Sequence, residues 1–97
     1  MELSDVRFDG RKLKAIRQGR GISVDVLMKR LSMPNHDYTY DLSRMTVEND
    51  ERLRGTKINE NRLRAYCRYF VLPPSAFAWT AEDDEAAEAE KEAAMKQ

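Results

Sequence analysis

Two segments of the chain repeat one spacing of apolar side chains, and that spacing constrains the fold more than any other feature. Val24, Leu27, Met28 and Leu31 fall at i, i+3, i+4 and i+7, and so do Leu63, Tyr66, Cys67 and Phe70. At 3.6 residues per turn each set lines one face of a helix, and that face has to be covered. Ser23 stands where a cap is needed for the first helix, Asp25 suits its positive first turn, and Pro34 ends it, which predicts a helix over about 24–32. Asn59 caps the second, expected over about 60–71, with Arg64 and Arg68 facing water. Pro73 and Pro74 break it, and Pro74 suits the first turn of a short helix that uses Phe77 and Trp79 as apolar contacts.

Ahead of these, Leu13 and Ile16 lie one turn apart, with Phe8 and Ile22 completing the apolar set. Asp9 can cap this segment, and Gly19 and Gly21 can stop it, which predicts a helix over about 10–19. Only four residues then separate it from the next helix, so the two pack at a sharp angle. Residues 34–57 hold a weaker pattern. Tyr38, Leu42 and Met45 are spaced i, i+4, i+7, which favours a third helix over about 37–48 with those three turned inward. The β-branched and aromatic residues of the YTY and MTV runs also allow a short hairpin. Residues 49–57 read as a polar loop with a turn at Gly55. The expectation is an all-α, compact four- to five-helix domain over residues 1–79, followed by an acidic tail over 80–97 that is helical or frayed. In that tail Thr80 and Asp83 resemble a capping pair, and alanines and Met95 are the only apolar groups.

The formal net charge of zero conceals an asymmetry. Residues 1–79 hold 15 bases and 10 acids, a net +5, and residues 80–97 hold two bases and seven acids, a net −5. A basic body suits a polyanionic partner, and an ordinary solvated surface is the plainer explanation. With 97 residues there is room for one modest core, and chains of this size often gain stability by dimerising. One cysteine, Cys67, rules out an intrachain disulfide and favours a reducing, cytoplasmic setting. No apolar run has the length of a membrane span, and the N-terminus lacks the pattern of a signal peptide.

The order of the motifs resembles the Cro/repressor-like (XRE-type) helix-turn-helix family of phage and bacterial regulators. The resemblance covers about two thirds of the chain. Leu13-x-x-Ile16-Arg17, Gly21-Ile22-Ser23, Leu27, Leu31 and Met33 are similar to the family's first two helices. Leu42-Ser43-Arg44-Met45 resembles the core of its recognition helix. Leu63-x-x-Tyr66-Cys67-x-x-Phe70 and Leu72-Pro73-Pro74-Ser75-Ala76-Phe77 resemble its fourth and fifth helices. The chain departs from the family in four places. Leu31 to Leu42 spans eleven residues, where about seven is usual. Val24 stands in place of a glutamine, Ser32 in place of the turn glycine, and no glycine follows the third helix.

The resemblance implies a lambda-repressor-like fold that binds double-stranded DNA as a sequence-specific transcriptional regulator, a repressor, with the third helix in the major groove. Arg44 is then the main base reader, since a guanidinium can bond guanine O6 and N7 together, and Thr39, Tyr40 and Ser43 reach bases or phosphates. Ser23 and Val24 offer backbone N–H groups to a phosphate at a helix N-terminus. Arg11, Lys12, Lys29, Arg30, Arg52, Arg54 and Lys57 are the candidate phosphate contacts around the rim. Arg17 reads as structural, pairing with Glu48. A homodimer through Phe77, Trp79 and the adjoining tail would double the contacts on a palindromic site. The tail itself either screens the basic body, recruits a protein partner, or only aids solubility.

A second function class keeps the fold and uses it to grip another protein, as an antitoxin-like adaptor or inhibitor. The acids at 37, 41, 48, 50 and 51 favour that class. An enzyme finds no paired catalytic constellation, Gly-rich phosphate loop or triad pattern to support it, and no cofactor is implied. His36 and Cys67 together are too few for a metal site, so no metal is expected.

Overall fold

The protein's structure, a computed structural model, describes residues 2–32 and 43–95. Among them five α-helices and a two-stranded antiparallel sheet follow a 3-10 turn at Leu3–Asp5. The order is β1 (Phe8–Asp9), α1 (Gly10–Gly19), α2 (Val24–Leu31), α3 (Arg44–Glu51), β2 (Arg54–Thr56), α4 (Glu60–Phe70), a second 3-10 turn at Pro74–Phe77, and α5 (Ala81–Met95). No described helix is long and apolar enough to cross a membrane.

Each helix starts where a local capping residue dictates. Asp9 accepts from the Arg11 N–H, Ser23 from Val26, Ser43 from Thr46, and Asn59 from Asn61 and Arg62. Each such bond satisfies a backbone donor that the helix cannot, and a cap of this kind stabilises by about 1 kcal/mol. At α5 the bonding is reciprocal: the Thr80 hydroxyl accepts from the Asp83 N–H, and the Asp83 carboxylate accepts from the Thr80 N–H.

Leu13 of α1, Leu27 and Leu31 of α2, Val47 of α3 and Leu63, Tyr66 and Phe70 of α4 are fully buried, together with Phe8 and Phe77. Burying side chains of this size contributes roughly 1.5–3 kcal/mol each. The aromatic part of the core is continuous: the Phe8 ring lies 5.8 Å from Phe77 and 6.3 Å from Tyr66, centroid to centroid.

The described residues are mostly helical, as expected, with a small sheet added. Residues 54–56 are a strand and not part of a polar loop; Phe8 pairs with Thr56 and Asp9 with Arg54, and Phe8 also bridges Ala78. Two- and three-residue strands have no period to read, and their pairing is decided by backbone segments far apart in the chain. Gly55 is required at the strand's centre. Its φ is +79°, and a Cβ there would press on the Trp79 ring and the Arg7 guanidinium.

The third helix is the larger correction. It runs over Arg44–Glu51 where about 37–48 was expected, so residues 49–51, the first part of the polar loop expected over 49–57, are helix as well. Met45, expected to turn inward, is 69% exposed. The inward residues are Val47, Asp50 and Glu51. Tyr38, Thr39, Tyr40 and Leu42 lie outside the described residues, as does the YTY run of the possible hairpin, while its MTV run is helix within α3.

Candidate nucleic-acid interface

The position of α3 is fixed by two buried carboxylates. Glu51 accepts from Arg17 Nε at 2.7 Å and Nη2 at 3.1 Å, while Arg17 Nη1 donates to the Ile22 carbonyl at 2.8 Å. This pair joins α3 to α1 and to the α1–α2 turn. Asp50 accepts from Arg62 Nε and Nη2 at 2.9 Å each and from the Tyr66 hydroxyl at 2.7 Å, which joins α3 to α4. Burial and the neighbouring Asp50 charge push the Tyr66 hydroxyl well above its ordinary pKa, so it remains a donor. Arg17 was expected to pair with Glu48. It pairs with Glu51 because α3 starts later, which turns Glu48 outward.

Close approach of α1 to α3 depends on Gly10. Its N–H donates to the Leu53 carbonyl at 2.8 Å, and a Cβ on it would overlap the Asp50 and Glu51 backbone.

With Val47, Asp50 and Glu51 inward, the outer face of α3 presents Arg44, Met45, Glu48 and Asn49, with the Ser43 cap at its end. Arg44 is held by two carboxylates: Glu48 accepts from its Nε at 2.8 Å, and Asp25 of α2 accepts from Nη1 at 3.3 Å. The hydrogen bond to Glu48 and then the charge of Asp25 raise the Arg44 pKa, and the same bond lowers that of Glu48. The Arg44 side chain is nonetheless 62% exposed.

Beside this face lies a cleft of about 340 Å³, lined by Lys14, Val24, Arg52 and Arg54, with the Arg17–Glu51 pair and Glu48 also at its wall. Lys14 has no ion pair among the described residues. Arg52 donates to the Asn49 side-chain carbonyl at 3.4 Å, and Arg54 to the main-chain carbonyls of Glu51 and Leu53 at 2.9 Å. None of these contacts cancels a positive charge. Val24 is the first residue of α2, so the cleft also receives that helix's N-terminal end. No family model, curated protein or solved structure matches this chain.

The expected site residues divide into three groups. Ser43, Arg44, Ser23, Val24, Arg52 and Arg54 gather around the α2–α3 face and its cleft. Lys29 and Lys57 are exposed, and Arg30 donates to the Tyr69 hydroxyl at 2.7 Å. Arg11 and Lys12, by contrast, are turned to the start of α5. Arg11 bonds Asp9 through Nε and Nη2, reaches Asp83 at 3.2 Å and lies over the Trp79 ring at 4.8 Å. Lys12 donates to Asp83 and to the Ala78 carbonyl. As rim phosphate contacts these two are already occupied by the protein's own carboxylates.

Phe77 and Trp79, expected at a dimer surface, differ in exposure. Phe77 is fully enclosed by the aromatic core, and Trp79 is half-buried, its indole N–H donating to Asp84 at 2.6 Å. The two-residue strand that brings Phe8 onto Phe77 has no periodicity by which the sequence could show it.

Sequence reasoning missed Lys14, Asn49 and Asp25 as members of the interface. The available signal was Ser43: read as a cap, it starts the helix at 44 and places Glu51 opposite Arg17.

Proposed function

We propose that the chain is a sequence-specific duplex-DNA-binding regulator, a repressor of the lambda-repressor-like helix-turn-helix type, that lays α3 in the major groove. One observation supports this best. The buried contacts of Val47, Asp50 and Glu51 leave Arg44 and Asn49 outward on a short helix, beside Lys14, Arg52 and Arg54, none of which forms a salt bridge among the described residues. An α-helix fits the major groove; arginine matches guanine and asparagine matches adenine on that edge. The cationic cleft, with the α2 N-terminal turn at Val24, suits a backbone phosphate. An eight-residue helix offers few base contacts, so the proposal places two copies on a two-fold target.

A second reading has its own observation. Met45 is 69% exposed on the same face, and Asp25 and Glu48 add negative charge there, which suits a protein groove better than a phosphate backbone. Binding to random and to selected duplexes, titrated with salt, separates the two. The DNA reading predicts that log K falls against log salt with a slope of roughly −0.9 for each phosphate neutralised, and that the selected duplex binds at least about a thousandfold tighter than random DNA. Equal, weak binding to both duplexes supports the protein-binding reading instead.

A further inference from the structure

Resting on the DNA-binding reading above, we infer that Asp25 and Glu48 are positioning residues that hold Arg44 as a guanine-specific reader. A carboxylate on a DNA-facing surface repels the backbone, so two of them beside the principal base reader need a reason. The geometry supplies one. Glu48 lies one turn along α3 from Arg44 and takes Nε at 2.8 Å; Asp25 comes from another helix and takes Nη1 at 3.3 Å. A long side chain with several rotatable bonds is thereby held from two directions, one of them across the α2–α3 junction.

The bonding also leaves the useful edge of the guanidinium available. Nη2 has no acceptor among the described residues, and Nη1 has a second N–H beyond the one given to Asp25. The side chain is 62% exposed, which leaves room for a partner to reach it. Guanine presents two acceptors, N7 and O6, that such an edge can meet together, whereas adenine offers a donor in place of O6. A guanidinium fixed in orientation loses less freedom on binding than a loose one. The two carboxylates therefore set the base preference through Arg44 and do not themselves provide affinity.

The test is selection of binding sites from random duplexes by the full chain and by Arg44→Ala, Glu48→Gln and Asp25→Asn, each checked for folding by circular dichroism. The wild-type protein is expected to select a site with a fixed guanine, and Arg44→Ala to lose about tenfold or more of that preference. Glu48→Gln and Asp25→Asn are each expected to lose at least about threefold of the preference at that one position, while binding to random duplex holds or rises because a negative charge is gone. A structural defect alone would weaken all positions equally, which would overturn the inference. So would an unchanged guanine preference in both carboxylate variants, or its survival in Arg44→Ala, with the DNA-binding reading intact. If the wild-type chain selects no sequence, both the inference and the reading beneath it fall.

Discussion

The Arg17 guanidinium meets the Glu51 carboxylate through two hydrogen bonds, with the side chains only 10% and 9% exposed. The pair spans 34 residues of sequence and ties the third helix to the first. Such a pair gains little net energy over a well-packed apolar replacement, because both charges have left water. Its effect is to fix geometry, since either charge left alone would be strongly unfavourable.

That asymmetry gives the first prediction. Glu51→Ala leaves the Arg17 charge buried without its carboxylate and is expected to cost about 3–5 kcal/mol in urea unfolding. The double variant Arg17→Met, Glu51→Leu removes both charges and is expected to recover most of that loss. Equal destabilisation by the single and double variants would show that packing, and not the unpaired charge, is responsible.

The helix starts are the part of the fold most legible in the sequence. Asp9, Ser23, Asn59 and Thr80 each cap the helix that their position predicts, because a cap is a local matter of one side chain and the next few N–H groups. The second and fourth helices also have apolar inner faces, and the first buries Leu13 beside Arg17, so periodicity reads them directly. The third is different. Two of its three buried residues are Asp50 and Glu51, whose burial depends on Arg62, Tyr66 and Arg17 elsewhere in the chain. Apolar spacing alone therefore points to Tyr38, Leu42 and Met45 and to a helix that starts earlier than Arg44. The candidate interface inherits that displacement: Ser43 and Arg44 are expected on the face, but Asn49 and Asp25 are not, and Met45 is expected inside.

Close packing at Gly10 gives the second prediction. Gly10→Ala places a methyl group into the Asp50 and Glu51 backbone, so α1 and α3 must separate. Overpacking of this kind costs about 1–3 kcal/mol, measured as a lower denaturation midpoint with unchanged slope. Gly19→Ala, where a Cβ meets nothing, is the control and is expected to be neutral or slightly stabilising.

The start of α5 titrates in a predictable direction. Hydrogen bonds from the Thr80 N–H and hydroxyl, followed by Lys12, lower the Asp83 pKa to about 2. Because the folded value lies below the ordinary one of 3.8, the contribution of Asp83 is fully present above that value and is lost as pH falls through about 2. Trp79, the single tryptophan, sits at this junction and reports on it. Its emission is expected to hold from neutral pH down to about 4 and to change below that. Asp83→Asn is expected to show the changed emission already at neutral pH; an emission identical to wild type there would contradict the anchoring role of Asp83.

The central claim is that the α2–α3 face meets DNA, and amide chemical-shift mapping of the full chain tests it most directly. On titration with a selected duplex at moderate salt, the account predicts the largest changes at Ser43 to Asn49, at Ser23 to Asp25, and at Lys14, Arg52 and Arg54 around the cleft. Shifts confined to α4 and the aromatic core's outer edge, or no shifts at any duplex concentration, would contradict it.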